Sequence, residues 1–330
     1  SVIQTDDGGY VISGAMDQST GSGHDAWIIK TDAEGNEEWN EIYGGASEDE
    51  FYSIQQTTDN GYIITGKTSS YGNGNSDIWL IRLEGTGVPP TYQGPVWHVS
   101  TTGSDSNDGS ESSPFANIQT GIDASSSGHT VLVAAGTYTE NINFNGKNIS
   151  VIGEDSSNTI IDGNESGSVV HFVNNEDSTA LLENFTIQNG SGWYGPWDQY
   201  RGGGIVIRFA SPRVKSCIIE NNNINNTAEY GGGIYIDGES SALLENLIIR
   251  NNISSNAGGI SIYSTSVVTL KNSIVESNEG FLWGGGIAII GDHILDNVII
   301  SSNEGNLGGG IYSDNSSFTF DGGTISNNIA

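Results

Sequence analysis

The chain has 330 residues, with 40 Asp+Glu against 10 Lys+Arg and a formal net charge of −30. Such a chain is repelled by nucleic-acid phosphates and anionic head groups, and no apolar run approaches the roughly 20 residues of a membrane-spanning helix. The 47 glycines, combined with short β-branched bursts, point to an all-β chain in which turns take up much of the length. The single cysteine, Cys217, permits no internal disulfide.

In chain order, the first feature is a repeat at an offset of 52 residues. Asp7-Gly8-Gly9-Tyr10-Val11-Ile12-Ser13-Gly14 recurs as Asp59-Asn60-Gly61-Tyr62-Ile63-Ile64-Thr65-Gly66. Asp25-Ala26-Trp27-Ile28-Ile29-Lys30 recurs as Asp77-Ile78-Trp79-Leu80-Ile81-Arg82. Each unit reads as about four short strands joined at Gly, Asn and Asp, which is the size and pattern of a propeller blade. These residues resemble bacterial propeller repeats, and residues 1–84 are expected to form less than two blades. A propeller needs four or more blades, the first repeat is entered midway and the last coil is uncapped, so the chain is expected to be a piece of a longer protein. Residues 85–95, with three of the six prolines, read as a linker.

Beyond the linker the period shortens. Leu182, Val214, Leu244, Leu270, Leu295 and Phe320 form one apolar column, and Ile187, Ile219, Ile249, Val275, Ile300 and Ile325 form another five residues later. An Asn column follows at Asn222, Asn252, Asn278, Asn303 and Asn328. Gly-Gly-Gly stretches precede Ile205, Ile234, Ile287 and Ile311, with Ala257-Gly258-Gly259 before Ile260. A coil of roughly 25 residues with short strands is one rung of a parallel β-helix. Stacked rungs would place aliphatic residues in the core and Asn amides in ladders at the bends. Left-handed backbone there suits Asn and Gly. Phe115, Ile118 and Ile122 have helical spacing, as in a short amphipathic helix that covers the N-terminal end of the stack.

Trp97–Ser100, Gly103–Ser110, Pro114–Gln119 and Val131–Ile142 resemble secreted members of the pectin-lyase-like superfamily, and the Gly-Gly-x-Ile rungs resemble polymorphic outer-membrane-protein adhesins. The resemblance implies that residues 96–330 form a right-handed parallel β-helix of about seven rungs. It also implies an extracellular or cell-surface setting. Signal and anchor segments are expected to lie outside this sequence.

Two groups of residues carry candidate chemistry. If Ile205 points inward, Arg208, Asp237 and Tyr263 stack outward on neighbouring rungs. A lyase would use Arg208 as base and Asp237 as its partner; the plainer reading is a surface ion pair beside a tyrosine ring. Trp193, Tyr194, Trp197, Tyr200 and Arg201 lie in one insertion, and Tyr230 and Trp283 precede later glycine triplets. Together these seven would line a groove for a glycan, rings on sugar faces and polar groups on hydroxyls; alternatively the insertion buries its own rings. Asp105, Asn107 and Asp108 lie in an acidic turn that resembles a calcium loop but lacks the full spacing and terminal Glu. No cofactor is expected, with calcium as the alternative, and a turn before the cap helix is the simpler reading. Ile218, Ile248, Ile274 and Ile299 fall between inward positions, either as an exposed strip or as a sign of reversed parity. The expected function is adhesion or carbohydrate binding through the lateral face, with a polysaccharide or surface glycan as partner. A polysaccharide-active enzyme and a structural spacer are the alternatives.

Overall fold

The computed structural model describes residues 1–17, 23–57, 61–72, 75–83, 94–194, 200–224, 230–314 and 316–330. The chain divides into two compact units, residues 1–92 and 93–330. Among the described residues, no helix is long and apolar enough to cross a membrane.

The first unit holds two antiparallel sheets. One orders β1 (Val2–Gln4), β2 (Tyr10–Asp17), β3 (His24–Thr31) and β4 (Glu37–Tyr43); the other orders β5 (Asp49–Gln56), β6 (Tyr62–Thr68) and β7 (Asp77–Leu83). They are the two repeats, and they form a partial propeller. Val11, Ala26 and Ile28 of the first sheet pack with Phe51, Ile54, Tyr62 and Ile64 of the second in one buried core. Strand alternation makes this possible, because each sheet devotes one full face to the contact. Lys30 is buried at the rim of this core, with its ammonium 2.9 Å from Asp7, in the turn between β1 and β2, and 2.8 Å from Glu38 on β4.

The second unit is a parallel β-helix built from three long sheets. Sheet I runs over nine strands from Val96–Val99 to Thr319–Asp321, sheet II over eight from Gly136–Thr139 to Thr324–Ser326, and sheet III over seven from Ile142–Asn143 to Ile311–Ser313. Both aliphatic columns stand in register: Leu182, Val214, Leu244, Leu270 and Leu295 pair along sheet I, and Ile187, Ile219, Ile249, Val275 and Ile300 along sheet II. All ten are 0% exposed. Each buried Leu or Ile stabilises the stack by about 1.5–3 kcal/mol. Cys217 is buried in the core beside them. The Ile218, Ile248, Ile274 and Ile299 row faces outward, half-buried until Ile299, so the expected parity of sheet II is correct.

The Asn column forms a buried amide ladder. Asn222 Nδ2 donates to Asn252 Oδ1 at 2.9 Å, Asn252 to Asn278 at 3.0 Å, Asn278 to Asn303 at 3.0 Å and Asn303 to Asn328 at 2.9 Å. The ladder residues are not the left-handed ones, however. That conformation belongs to the residue before each: Asn221, Asn251, Ser277, Ser302 and Asn327, with φ between 54° and 56°. Each strand therefore ends on a left-handed corner that swings the next side chain inward.

The glycine triplets also have a reason beyond tight turning. Only Gly202 and Gly231, at the first triplet position, have left-handed φ (52° and 68°), and Ala257 fills that place in the next coil. The third glycine lies against the ladder: a Cβ on Gly204, Gly233, Gly259, Gly286 or Gly310 would stand 2.9–3.2 Å from the amide nitrogen of a ladder Asn. The Gly and Asn columns are thus two sides of one contact.

The expected cap helix is present as α1 (Ile118–Ala124), with Ile118 and Ile122 buried, but Phe115 lies before it and bridges Val99. Its first two amides donate to the Glu140 carboxylate at 2.8 and 3.0 Å, while Lys147 Nζ donates to its last carbonyls, Ile122 and Asp123, at 2.8 Å each. Outward charges alternate along the stack. Glu183, Lys215, Glu245 and Lys271 are register partners on sheet I, with ion pairs of 2.8 Å (Lys215–Glu183) and 3.2 Å (Lys271–Glu245). On sheet II, Glu220, Arg250 and Glu276 follow each other, and Arg250 meets Glu220 at 2.6 Å.

Candidate functional site

Sheet III presents two outward rows in the region of the glycine triplets. Val206, Tyr235, Ser261, Ala288 and Tyr312 are register partners in one row; Arg208, Asp237 and Tyr263 are partners in the other. The predicted stacking of the latter three is therefore correct, but they are not a surface pair. Asp237 is 8% exposed, and Val206, Tyr235, Ser261 and Ala288 are buried despite facing outward. The segments leading into the triplets cover this face. Arg201 and Tyr230 pair across adjacent coils just before their glycines, and Trp283 stands before the next full triplet.

Two groups of residues that the sequence suggests separately thus meet in one cleft. Arg201, Arg208, Phe209, Tyr230, Tyr235, Asp237, Gly238 and Tyr263 line it, with a volume of about 340 Å³. Asp237 is its polar centre: the Arg208 Nε lies 3.3 Å from one carboxylate oxygen, Arg201 Nη1 lies 3.5 Å from the other, and the Tyr235 hydroxyl donates to that second oxygen at 3.1 Å. Burial pushes the Asp237 carboxyl up, and this outweighs the opposing pull of Arg208, the Tyr235 hydroxyl and Arg201. Burial likewise raises the Tyr235 and Tyr263 phenols, so both stay protonated.

An aromatic run borders these charges. Tyr230 meets Tyr263 edge-on at 5.2 Å and Trp283 at 5.9 Å, and Trp283 stacks on Tyr312 at 5.3 Å with 24° between planes. The Arg201 guanidinium lies over the Tyr235 ring at 5.2 Å. Among the described residues, Ser261 Oγ and Tyr263 Oη are buried with no hydrogen-bond partner. Tyr235, Tyr312, Phe209 and Ser261 were not singled out as site residues by the sequence. Tyr235 and Ser261 carry a signal, since they fall at outward positions of the strands of Asp237 and Tyr263, and Tyr312 continues their row; Phe209 follows its strand on a left-handed corner and has none.

The other candidates lie elsewhere. Trp193 pairs with Arg201 in a two-stranded hairpin and meets His171 edge-on at 6.3 Å. Trp197 lies outside the described residues, as do the side chains of Tyr194 and Tyr200. In the acidic turn, Asp105 Oδ1 accepts the amides of Ala116 and Asn117 at 3.0 Å each, Asn107 Nδ2 donates to the Pro114 carbonyl at 2.8 Å, and Asp108 Oδ1 accepts the Ser110 amide at 3.0 Å. These groups brace the turn that leads into α1. Among the described residues, no three His, Cys, Asp or Glu side chains gather as a metal site.

These features define the class: an all-β repeat protein whose main unit is a parallel β-helix with an aromatic, charged cleft on one lateral sheet. No family model matches the chain, and no curated protein matches it. Among solved structures, pectate lyase Pel9A is similar at 13% identity and a TM-score of 0.44, over 71% of this chain and 78% of that one. A pectin methylesterase from carrot is similar at 12% identity and a TM-score of 0.41, over 70% and 82% of the two chains. A rhamnogalacturonan lyase is similar at 12% identity and a TM-score of 0.34, over 70% and 86%.

Proposed function

We propose that the β-helix binds carbohydrate without cleaving it, through the cleft on sheet III, in an extracellular or cell-surface setting. The observation that carries this reading is the run of Tyr230, Tyr263, Trp283 and Tyr312 rings bordering the Arg201–Asp237–Arg208 cluster. Ring faces suit the C–H faces of pyranoses, and fixed guanidinium, carboxylate and phenol groups suit their hydroxyls. The rings sit on successive coils about 4.8 Å apart, so an extended chain lying along the stack would meet one ring after another.

Cleavage asks for more than the cleft supplies. A guanidinium beside a carboxylate stays charged and is a poor base. Hydrolysis by paired carboxyls needs two, whereas Asp237 is the one carboxylate among the described lining residues. The test is a glycan array with the intact chain, followed by titration of any hit. Trp283→Ala should weaken binding about tenfold, the worth of one good aromatic contact. Unchanged affinity, or release of shortened or unsaturated sugars by the wild-type chain, would refute a binding-only cleft.

A further inference from the structure

Sheet II bears an outward row of a single residue type. Ile218, Ile248, Ile274 and Ile299 are register partners on four successive coils. The row is flanked in register by Thr186 before it and Thr324 after it, so its exposure does not come from an end of the stack. Two residues further along each strand, the outward positions are Glu220, Arg250, Glu276 and Ser301. Exposed Asn246, Asn272 and Asn297 border this face on one side, and exposed Asn251, Ser277 and Ser302 on the other. An apolar centre inside a polar rim is the anatomy of a protein interface.

Reversing the order of the coils leaves the isoleucine row unchanged. A twofold axis along the strands, midway between the coils of Ile248 and Ile274, sets Ile248 of one copy against Ile274 of a second. Ile218 then meets Ile299. The same operation reverses the charged row, so that Arg250 of each copy faces Glu276 of the other and Glu220 faces Ser301. Within one chain Arg250 pairs with Glu220 at 2.6 Å, while its other register partner, Glu276, takes no ion pair among the described residues. A guanidinium has five N–H donors, enough to serve both carboxylates at once.

We infer that sheet II is a self-association surface on which two copies meet face to face with their coils in opposite order. The isoleucines interleave at its centre, and two Arg250–Glu276 pairs cross the axis. The same patch serves both copies, so the contact closes on itself and yields a dimer. Four coils about 4.8 Å apart and about six residues of strand and corner give roughly 400 Å² on each copy. That is about half of a standard interface, so the dimer is weak and reversible. Apolar burial drives it, and a charge of −30 per chain opposes it at low salt.

Sedimentation equilibrium of the full chain tests this. Between about 10 and 500 µM protein in about 0.3 M salt, the 34.8 kDa monomer should give way to twice that mass and nothing larger. Arg250→Glu sets like charges across the axis, and so does Glu276→Arg; each chain alone should dimerise at least tenfold more weakly than wild type. An equal mixture of the two should recover the dimer, because every charge across the axis again meets its opposite. Ile248→Thr leaves the charges alone and puts in the row a residue type it already holds at Thr186 and Thr324. That chain should keep the wild-type circular dichroism and dimerise about tenfold more weakly. A wild-type chain that stays monomeric, single variants that dimerise as wild type does, a mixture that fails to recover the dimer, or species larger than a dimer would each overturn the inference. So would a monomer that Ile248→Thr makes sediment more slowly, since another part of the same chain would then occupy the row.

Discussion

Asn278 occupies the middle of the buried ladder, and its loss should be among the costliest single changes in the β-helix. Its Nδ2 donates to Ile249 O at 2.9 Å, Glu276 O at 3.0 Å and Asn303 Oδ1 at 3.0 Å. Its Oδ1 accepts from the Asn252 amide and from Asn252 Nδ2, each at 3.0 Å. Asn278→Ala removes these five contacts and leaves the Asn252 amide buried without an acceptor. The Asn278 Nδ2 has two hydrogens to share among its three acceptors, so about four full hydrogen bonds are lost, and at about 1 kcal/mol net each the expected cost is about 4 kcal/mol. The exposed pair Ser157 Oγ–Asp155 Oδ1, at 2.8 Å, supplies the control: Ser157→Ala should cost less than about 1 kcal/mol because water replaces its partner. Hydrogen exchange during urea titration of the full chain reads both, since it reports each coil separately from the first unit. A cost below about 1 kcal/mol for Asn278→Ala would show that the ladder decorates the stack without holding it.

Two further changes test the same logic elsewhere. Gly233→Ala would set a Cβ 2.7 Å from Gly259 O and 3.1 Å from Asn252 Nδ2; the coil should be destabilised by about 1–3 kcal/mol, read by the same exchange experiment, and a neutral result would remove the close-approach explanation of the triplets. Asp7 is pushed up by burial but drawn further down by hydrogen bonds from Thr5, Lys30 and Gly9 and by the Lys30 charge, to about 2 from 3.8. A carboxyl depressed on folding stabilises the first unit fully above its unfolded value and ceases to do so as pH falls through the folded one. Asp7→Asn should therefore lower the melting temperature of that unit at pH 7, and the gap from wild type should close between about pH 4 and pH 2. A gap that persists at pH 2 would assign the loss to packing.

Periodicity made the frame legible. A residue that recurs every coil in a stack must occupy the same environment each time, so the Leu, Ile and Asn columns could be placed before any coordinates. Conformation at a single position was harder to read. The left-handed corner falls on Ser277 and Ser302 as readily as on Asn251, so residue type alone pointed to the neighbouring, unbroken Asn column. The site was legible in halves. Arg208, Asp237 and Tyr263 are linked by strand register, which sequence spacing reveals. Arg201, Tyr230 and Trp283 reach them only because the chain before each triplet folds back over the outward rows, a path set by backbone geometry with no periodic mark. Hence Tyr235 and Ser261 read as solvent-facing from alternation and are buried in the structure.

The alternating charges along the lateral sheets bear on how such a chain finds its fold. Coils this alike invite a mistake in which a strand skips its neighbour and pairs with the next but one, since every aliphatic position would still find an aliphatic partner. On sheet I that mistake sets Glu183 against Glu245 and Lys215 against Lys271; on sheet II it sets Glu220 against Glu276. Like charges directly opposite each other are destabilising. From Glu183 to Lys271 and from Glu220 to Glu276 the charge rows thus mark the correct neighbour, on the outside of a core that cannot tell one coil from another; the mark ends where Asp296 faces Asp321.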